Sequence, residues 1–131
     1  MGTSGTRFVI PTTKTVGSTP DQTLAASITW RNTVAQTPEG KVKAAVRKML
    51  VKHGIYYFMP PGMGLGRSGI PDIIGCQNGK FIAIECKAGK GKTTALQDRE
   101  LAAIAFAGGF TFVARETNLE ELEKELLAWI N

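Results

Sequence analysis

The stretch IPDIIGCQNGKFIAIECK, residues 70–87, constrains the fold of this 131-residue chain more strongly than any other part of it. Two apolar stretches flank Asn78-Gly79, and Asn-Gly is the strongest short-range signal for a β-hairpin with a two-residue type I′ turn. Such a turn also sets the strand register, because residues then pair outwards one by one from either side of it. This register predicts that Asp72 lies opposite Glu85.

Two acidic side chains that face each other at the end of an apolar strand are unfavourable. Opposed residues have Cβ atoms about 4.5–5.5 Å apart, and two unit charges at that distance repel by about 3 kcal/mol at an effective dielectric constant near 20. Side-chain alternation places Lys87 on the same face as Glu85, where its ammonium group offsets part of the repulsion. A divalent cation would offset more. The residues therefore indicate either a metal site or a structural ion cluster at a sheet edge.

The remaining patterns predict an α-β-β-β-α-β-α order over residues 37–131. Thr37 and Pro38 begin a helix whose apolar residues recur every three or four positions until Gly54. A second helix precedes FTFVAR, and a right-handed crossover would make that strand parallel to the one before the helix. We expect an α/β fold, a mixed central sheet flanked by helices, with an extra C-terminal helix in TNLEELEKELLAWI.

Residues 1–36 differ in composition from the rest of the chain. They are rich in Thr, Ser and Gly, which favours an N-terminal arm or linker separate from a domain of residues 37–131. Within them, RFVIP fits a short strand, and PDQTLAASITW fits a short helix that begins near Pro20.

Two polar residues of the predicted helices are expected to point towards the core side. Glu39 precedes the apolar stripe of the first helix by one turn, and a carboxylate in that position is unfavourable without a partner. The alternative is that Glu39 only complements the helix N-terminus. Gln97 shares a face with Leu101 and Ile104 of the second helix. It either points inward or only closes a capping box with Thr94.

The charge of the chain is unevenly distributed. Residues 39–99 hold 11 Lys and Arg against 4 Asp and Glu, which favours a polyanionic partner such as nucleic acid, although a solvated basic surface is the alternative. No apolar run is long enough to cross a membrane, and the N-terminus lacks the pattern of a signal peptide. With two cysteines in 131 residues, we expect a reduced, cytoplasmic setting.

Several basic and polar residues are candidates for phosphate contacts. Arg67 and Ser68 lie in GLGRSG, which precedes a strand rather than opening a helix, so the motif does not predict a nucleotide cofactor. Its glycines either let the loop approach a DNA backbone or form a plain flexible loop. Lys90 and Lys92 directly precede the second helix, whose N-terminus favours phosphate. Lys43, within the same basic block, is assigned to DNA binding with them.

The chemistry-bearing segments are similar to those of a known nuclease superfamily. IPDIIG followed by IECK resembles the PD-(D/E)xK signature, with Asp72, Glu85 and Lys87 as its elements. TPEGKVKAAV, GIPDIIG, IECKAG and LQDREL, in this order, resemble the virus-type replication-repair nuclease domain (VRR-Nuc) over about residues 37–115.

The resemblance implies a restriction-endonuclease-like αβββαβ core and hydrolysis of DNA phosphodiester bonds that depends on Mg²⁺ or Mn²⁺. By that pattern Asp72 and Glu85 bind the metal, joined by the backbone carbonyl of Cys86. Lys87 orients the attacking water and stabilises charge in the transition state. The pattern assigns the completion of the site to Gln97 and to Glu39, which is also a candidate metal ligand.

The resemblance also narrows the expected substrate. Stand-alone nucleases of this type act as homodimers on branched DNA, so we expect an endonuclease of a phage or bacterium that acts in DNA repair on structures such as Holliday junctions. A restriction-type or flap-type nuclease is the alternative among enzymes. A DNA-binding module without activity is the alternative outside them, and the intact set Asp72, Glu85 and Lys87 argues against it.

Overall fold

The computed structural model describes residues 37–61 and 66–131 of the chain. These residues form α1 (Pro38–Lys52), β1 (Tyr56–Phe58), β2 (Ile73–Gln77), β3 (Lys80–Cys86), α2 (Ala95–Phe106), β4 (Phe110–Ala114) and α3 (Leu119–Ile130). The predicted α-β-β-β-α-β-α order and α/β class are confirmed. The strand and helix expected within residues 1–36 lie outside the described residues, and the domain boundary stays a prediction.

The strands form a mixed four-stranded sheet in the order β1-β2-β3-β4. β2 pairs antiparallel with both β1 and β3, and β3 pairs parallel with β4. The parallel pair is joined through α2, as the crossover argument predicted. None of the helices in the described ranges is long and apolar enough to span a bilayer.

The hairpin turn has the geometry that its sequence predicts. Asn78 has φ 54° and Gly79 has φ 77°, and a type I′ turn requires positive φ at both positions. Pairing runs from Gln77↔Lys80 to Ile73↔Ile84. The predicted register is confirmed, and the next position outwards on each strand is held by an acidic residue.

The two faces of β3 differ in character. Ile82, Ile84 and Cys86 alternate onto one face, are fully buried, and join residues of α1 and α3 in the main core. That core contains Val42, Val46, Met49, Leu50, Ile55, Ile73, Ile82, Ile84, Cys86, Ala114, Leu122, Leu126 and Ile130. Burying each large aliphatic side chain stabilises the fold by about 1.5–3 kcal/mol. Alternation sends Glu85 to the opposite face, which α2 covers. Polar chemistry is thereby kept apart from the core.

Gly69 allows the loop before β2 to lie directly on α2. Its φ is +80°, and a Cβ built on it would lie 2.5 Å from the carbonyl carbon of Leu96 and 2.9 Å from the amide nitrogen of Gln97. No larger residue can occupy this position without moving backbone. The close contact fixes the path of the loop that leads into Asp72.

Substituting Gly69→Ala is expected to destabilise the fold by more than the roughly 1–2 kcal/mol that a left-handed conformation alone costs a residue with a Cβ. The control is Gly79→Ala, because Gly79 has φ +77° and an added Cβ there meets no atom within 4 Å. Urea unfolding of both variants measures the difference. Equal destabilisation by the two substitutions would show that the loop does not depend on its contact with α2.

Candidate active site

Asp72 and Glu85 meet where the β2–β3 ladder ends. Asp72 directly precedes β2, and its Oδ2 accepts a hydrogen bond from the backbone N–H of Cys86 at 2.8 Å. Glu85 directly precedes Cys86 in β3, and its side chain is 2% exposed. The hairpin register therefore brings the two carboxylates together, as the Asn-Gly turn predicted.

The two carboxylate oxygens of Glu85 have different surroundings. Oε1 accepts a hydrogen bond from Gln97 Nε2 at 3.3 Å and lies 3.9 Å from Lys87 Nζ. Oε2 is buried and has no hydrogen-bond partner among residues 37–61 and 66–131. Such an unsatisfied buried oxygen is unfavourable, and beside a second carboxylate it fits a hard divalent cation. The donor set thus suits Mg²⁺ or Mn²⁺, with Asp72 and Glu85 as ligands.

The protonation of Glu85 reflects the same surroundings. Burial raises the pKa of its carboxyl group to about 8, and the neighbouring carboxylate of Asp72 acts in the same direction. The charge of Lys87 opposes this shift without cancelling it. Without a bound cation, Glu85 is therefore largely protonated at neutral pH.

Lys43 lies between the two other acidic residues of the site. Its Nζ is 3.4 Å from Asp72 Oδ1 and 3.5 Å from Glu39 Oε2. Burial lowers the pKa of Lys43, but the charges of Asp72 and Glu39 and hydrogen bonds to both outweigh it, and the pKa is raised. Glu39 is thus connected to Asp72 through Lys43, and Lys43, assigned to DNA contact from its sequence position, reaches into the site itself.

The wider ligand set expected from the resemblance is only partly assembled. Across residues 37–61 and 66–131, no group of three or more His, Cys, Asp or Glu side chains is arranged to hold a metal ion. Glu39 is 41% exposed beyond Lys43, so its role as a ligand stays a prediction. The Cys86 thiol is buried in the core, and burial together with nearby Asp72 raises its pKa to about 12. Its backbone carbonyl stays the predicted donor.

Gln97 satisfies both of the alternatives that its sequence position left open. Its backbone N–H donates to the Thr94 hydroxyl at 3.2 Å, and its side-chain Oε1 accepts from the Thr94 N–H at 2.9 Å, which completes the capping box. The amide nitrogen of the same side chain donates to Glu85. The cap therefore orients the amide that holds Glu85.

A cleft of about 500 Å³ opens onto these residues. Asp72 and Gln97 line it together with Lys43 from α1 and the loop of residues 66–71. A larger groove, of about 630 Å³, lies between the β-hairpin and α2, and Asp72 and Gln97 do not line it. We therefore place the candidate active site at the smaller cleft, which Asp72 lines directly and where Gln97, the hydrogen-bond partner of Glu85, also lies.

The predicted phosphate contacts lie in different surroundings. Ser68, Lys90 and Lys92 are exposed. The side chain of Arg67 is 70% exposed, but its guanidinium donates to Oε1 of Glu100, with Nη2 at 2.8 Å and Nε at 2.9 Å. The expected role of Arg67 in DNA contact thus competes with an internal ion pair.

Sequence reasoning missed Glu100, which is 4% exposed on α2. The available signal was its spacing, because Glu100 lies three residues after Gln97 and so shares its helix face. Lys43 shows the same limitation, since only the packing of α1 against the start of β2 brings it to Asp72.

Comparisons with known proteins agree with this geometry. A family model described as archaeal Holliday junction resolvase (hjc) matches residues 41–119, a range that contains Asp72, Glu85, Lys87 and Gln97. This family belongs to the PD-(D/E)xK nuclease superfamily, so the superfamily assignment made from the sequence is confirmed. The matching family is the resolvase and not VRR-Nuc. A search of curated proteins found no match.

Glu85→Gln is expected to change how stability depends on pH. The carboxyl group has a pKa of about 8 in the folded protein against 4.5 ordinarily, so the folded state binds its proton more tightly. The resulting stabilisation is complete below pH 4.5 and is lost as the pH rises to about 8, by up to about 1.4 kcal/mol per pH unit.

Urea unfolding between pH 5 and 9, in the presence of a chelator, measures this effect. Glu85→Gln should remove the downward slope that wild type shows in this interval. Glu125→Gln, which removes an exposed carboxylate of α3, should keep it because Glu85 is still present. Wild type and Glu85→Gln with parallel profiles would mean that Glu85 ionises normally.

Proposed function

The chain belongs to the archaeal Holliday junction resolvase family, and we propose that it is a metal-dependent endonuclease that hydrolyses phosphodiester bonds of branched DNA such as Holliday junctions. The observation that carries the proposal is the pairing of Asp72 with a buried Glu85, beside Lys87, whose Oε2 has no hydrogen-bond partner in the part of the chain that the structure describes. A protein that only bound DNA would gain nothing from keeping this arrangement, since it destabilises the fold without a cation.

Asp72 and Glu85 are the residues that would hold Mg²⁺ or Mn²⁺, with the Cys86 carbonyl and Glu39 as further candidate donors. A bound cation would supply Lewis acidity and lower the pKa of water at the scissile phosphate. Gln97 holds Glu85 Oε1 in place, and the Cys86 N–H holds Asp72 Oδ2. Both contacts come from regular secondary structure or its cap, so the carboxylates have defined positions before substrate binds.

Lys87 is the proposed catalytic cation. It lies two residues after Glu85 on the same face, and its side chain is 15% exposed. From this position its ammonium group can hold the attacking water and stabilise the negative charge that develops on the phosphoryl oxygens. Since the site is partly shielded from solvent, this charge interaction is stronger than it would be on an open surface.

DNA binding is proposed for the basic and polar residues around the cleft. Ser68 lines the cleft itself, and Lys90 and Lys92 are exposed in the loop that follows β3. Contacts from lysine to phosphate release counterions, so affinity should fall steeply with salt concentration. The preference for branched DNA rests on the family match.

We further propose that the enzyme is a homodimer in which α2 faces a second copy. Phe106 at the end of α2 is 97% exposed, and Leu96 at its start is 44% exposed. The groove of about 630 Å³ beside α2 adds exposed Phe81 to this apolar surface. Resolving a four-way junction needs two cuts, and two copies of a chain with one site supply them. The solution mass measures this directly.

Alternatives within the superfamily are restriction-type and flap-type nucleases. A closer relationship to VRR-Nuc, based on the resemblance of TPEGKVKAAV and LQDREL to its segments, stays a hypothesis. A DNA-binding module without activity is the alternative from another class. Incubation with linear, flap and four-way DNA, with and without Mg²⁺, distinguishes them. We expect metal-dependent cleavage of the four-way substrate, and no cleavage of any substrate would contradict the proposed function.

Lys87→Ala is expected to slow single-turnover cleavage by about 10²–10³-fold, as for loss of one donor that acts on transition-state charge. Its affinity for DNA without metal should stay within about twofold of wild type, since interactions specific to the transition state do not appear in ground-state binding. Gel-shift titration beside cleavage with Mg²⁺ measures both quantities.

The matched control is Lys90→Ala, which removes an exposed lysine three residues further along. It should weaken DNA binding and leave the rate at saturating enzyme close to that of wild type. Cleavage by Lys87→Ala at the wild-type rate would make Lys87 a structural counter-ion and would contradict the mechanism.

A further inference from the structure

The buried charged side chains among the described residues are Glu85 and Glu100. The proposed mechanism uses Glu85 and leaves Glu100 unexplained. Glu100 is 4% exposed, and its Oε1 accepts hydrogen bonds from both Nε and Nη2 of Arg67. A buried carboxylate is strongly unfavourable unless it is paired, so Glu100 requires Arg67 to stay where it is.

Arg67 lies in the loop that leads into Asp72, and this loop is attached to the rest of the protein at three points. The Arg67 guanidinium binds Glu100, the backbone at Gly69 lies against Leu96, and the Asp72 carboxylate accepts the Cys86 N–H. The first two attachments are made to α2. Because Gln97 of the same helix holds Glu85, α2 contacts one carboxylate of the pair directly and the loop that leads into the other.

We propose that the Arg67–Glu100 ion pair is a clamp that fixes this loop on α2 and thereby sets the position of Asp72 relative to Glu85. Arg67 and Glu100 are then positioning residues for the cleavage reaction, an inference that rests on the proposed function. The clamp acts through geometry, because Asp72 follows Arg67 by five residues and the contact at Gly69 leaves little freedom between them. Polar partners that orient metal ligands in this way typically affect metal affinity or activity by about 10–100-fold.

A competing role for Arg67 is direct contact with a DNA phosphate. That role would require the guanidinium to leave Glu100 unpaired, or to share its donors with phosphate. The two roles predict different signs for the two single substitutions. A phosphate contact predicts weaker DNA binding for Arg67→Gln and equal or tighter binding for Glu100→Gln, whereas the clamp predicts the same direction of change for both, in metal affinity and rate.

The test compares wild type with Arg67→Gln, Glu100→Gln and Arg67→Lys. Glu123→Gln is the matched control, because Glu123 is a carboxylate paired with Lys52 and His53, away from the cleft. Three quantities are measured: backbone order parameters of residues 66–70 by NMR in the free protein, Mn²⁺ affinity by calorimetry, and single-turnover cleavage with Mg²⁺. DNA affinity without metal is measured beside them.

The clamp predicts that the order parameters of residues 66–70 fall from their wild-type values to below about 0.6, the range of flexible backbone, in Arg67→Gln and Glu100→Gln. Mn²⁺ affinity and cleavage should both fall by about 10–100-fold, with DNA affinity unchanged within about twofold. Arg67→Lys keeps the positive charge but cannot donate two hydrogen bonds to Glu100 in the geometry of a guanidinium. It should therefore show smaller losses of Mn²⁺ affinity and cleavage than Arg67→Gln. Glu123→Gln should match wild type in all four measurements.

Unchanged order parameters in both single variants would overturn the proposal, as would lower order parameters with wild-type Mn²⁺ affinity and cleavage. Opposite effects of the two substitutions on DNA affinity would overturn it in favour of the phosphate contact. If wild type neither binds Mn²⁺ nor cleaves DNA, the proposed function fails, and the role of the pair as a positioning device fails with it. In that case lower order parameters would still show that the pair holds the loop.

Discussion

The structure depends on a carboxylate placed where it is least favourable. Glu85 is buried on a central strand beside Asp72, and none of the described residues supplies a hydrogen-bond partner for its Oε2. A chain selected only for stability would replace it with an apolar residue of similar size. Here the surrounding contacts instead hold it in one position: Gln97 and Lys87 at Oε1, and the tight hairpin that brings Asp72 alongside. Such local instability at a rigid position is typical of a site that awaits a cation.

β3 makes this arrangement compatible with a stable fold. Its alternate residues Ile82, Ile84 and Cys86 enter the core between the sheet and the helices α1 and α3, whereas Glu85 faces α2. The core therefore anchors the strand while its other face carries the chemistry. α2 contributes little to the main core, and its contacts serve mainly to hold the site. It supplies Gln97, the surface against which Gly69 packs, and Glu100, the partner of Arg67.

Local signals predicted the parts of this design that depend on neighbouring residues in the chain. Asn78-Gly79 gave the register and with it the pairing of Asp72 with Glu85. The capping pattern and the helical periodicity gave the two alternatives for Gln97, and the structure shows both. Contacts between distant elements were not predictable in this way. Lys43 meets Asp72, and Arg67 meets Glu100, only because of how α1 and α2 dock, which periodicity and spacing do not specify. The family assignment shows the same limit of local signals. Short motifs identified the superfamily, whereas only a match over residues 41–119 separated the resolvase family from VRR-Nuc.

The central claim, that Asp72 and Glu85 jointly bind a divalent cation, is tested most directly by the protons released when Mn²⁺ binds. With a pKa of about 8, Glu85 carries its proton at pH 7, and a carboxylate must lose it to ligate metal. Calorimetric titration of Mn²⁺ at pH 7 in two buffers of different ionisation enthalpy measures this number. Joint binding predicts net proton release when Mn²⁺ binds, and no specific binding by Asp72→Asn. Equal binding by Asp72→Asn would contradict joint binding, and binding without proton release would contradict ligation by a protonated Glu85.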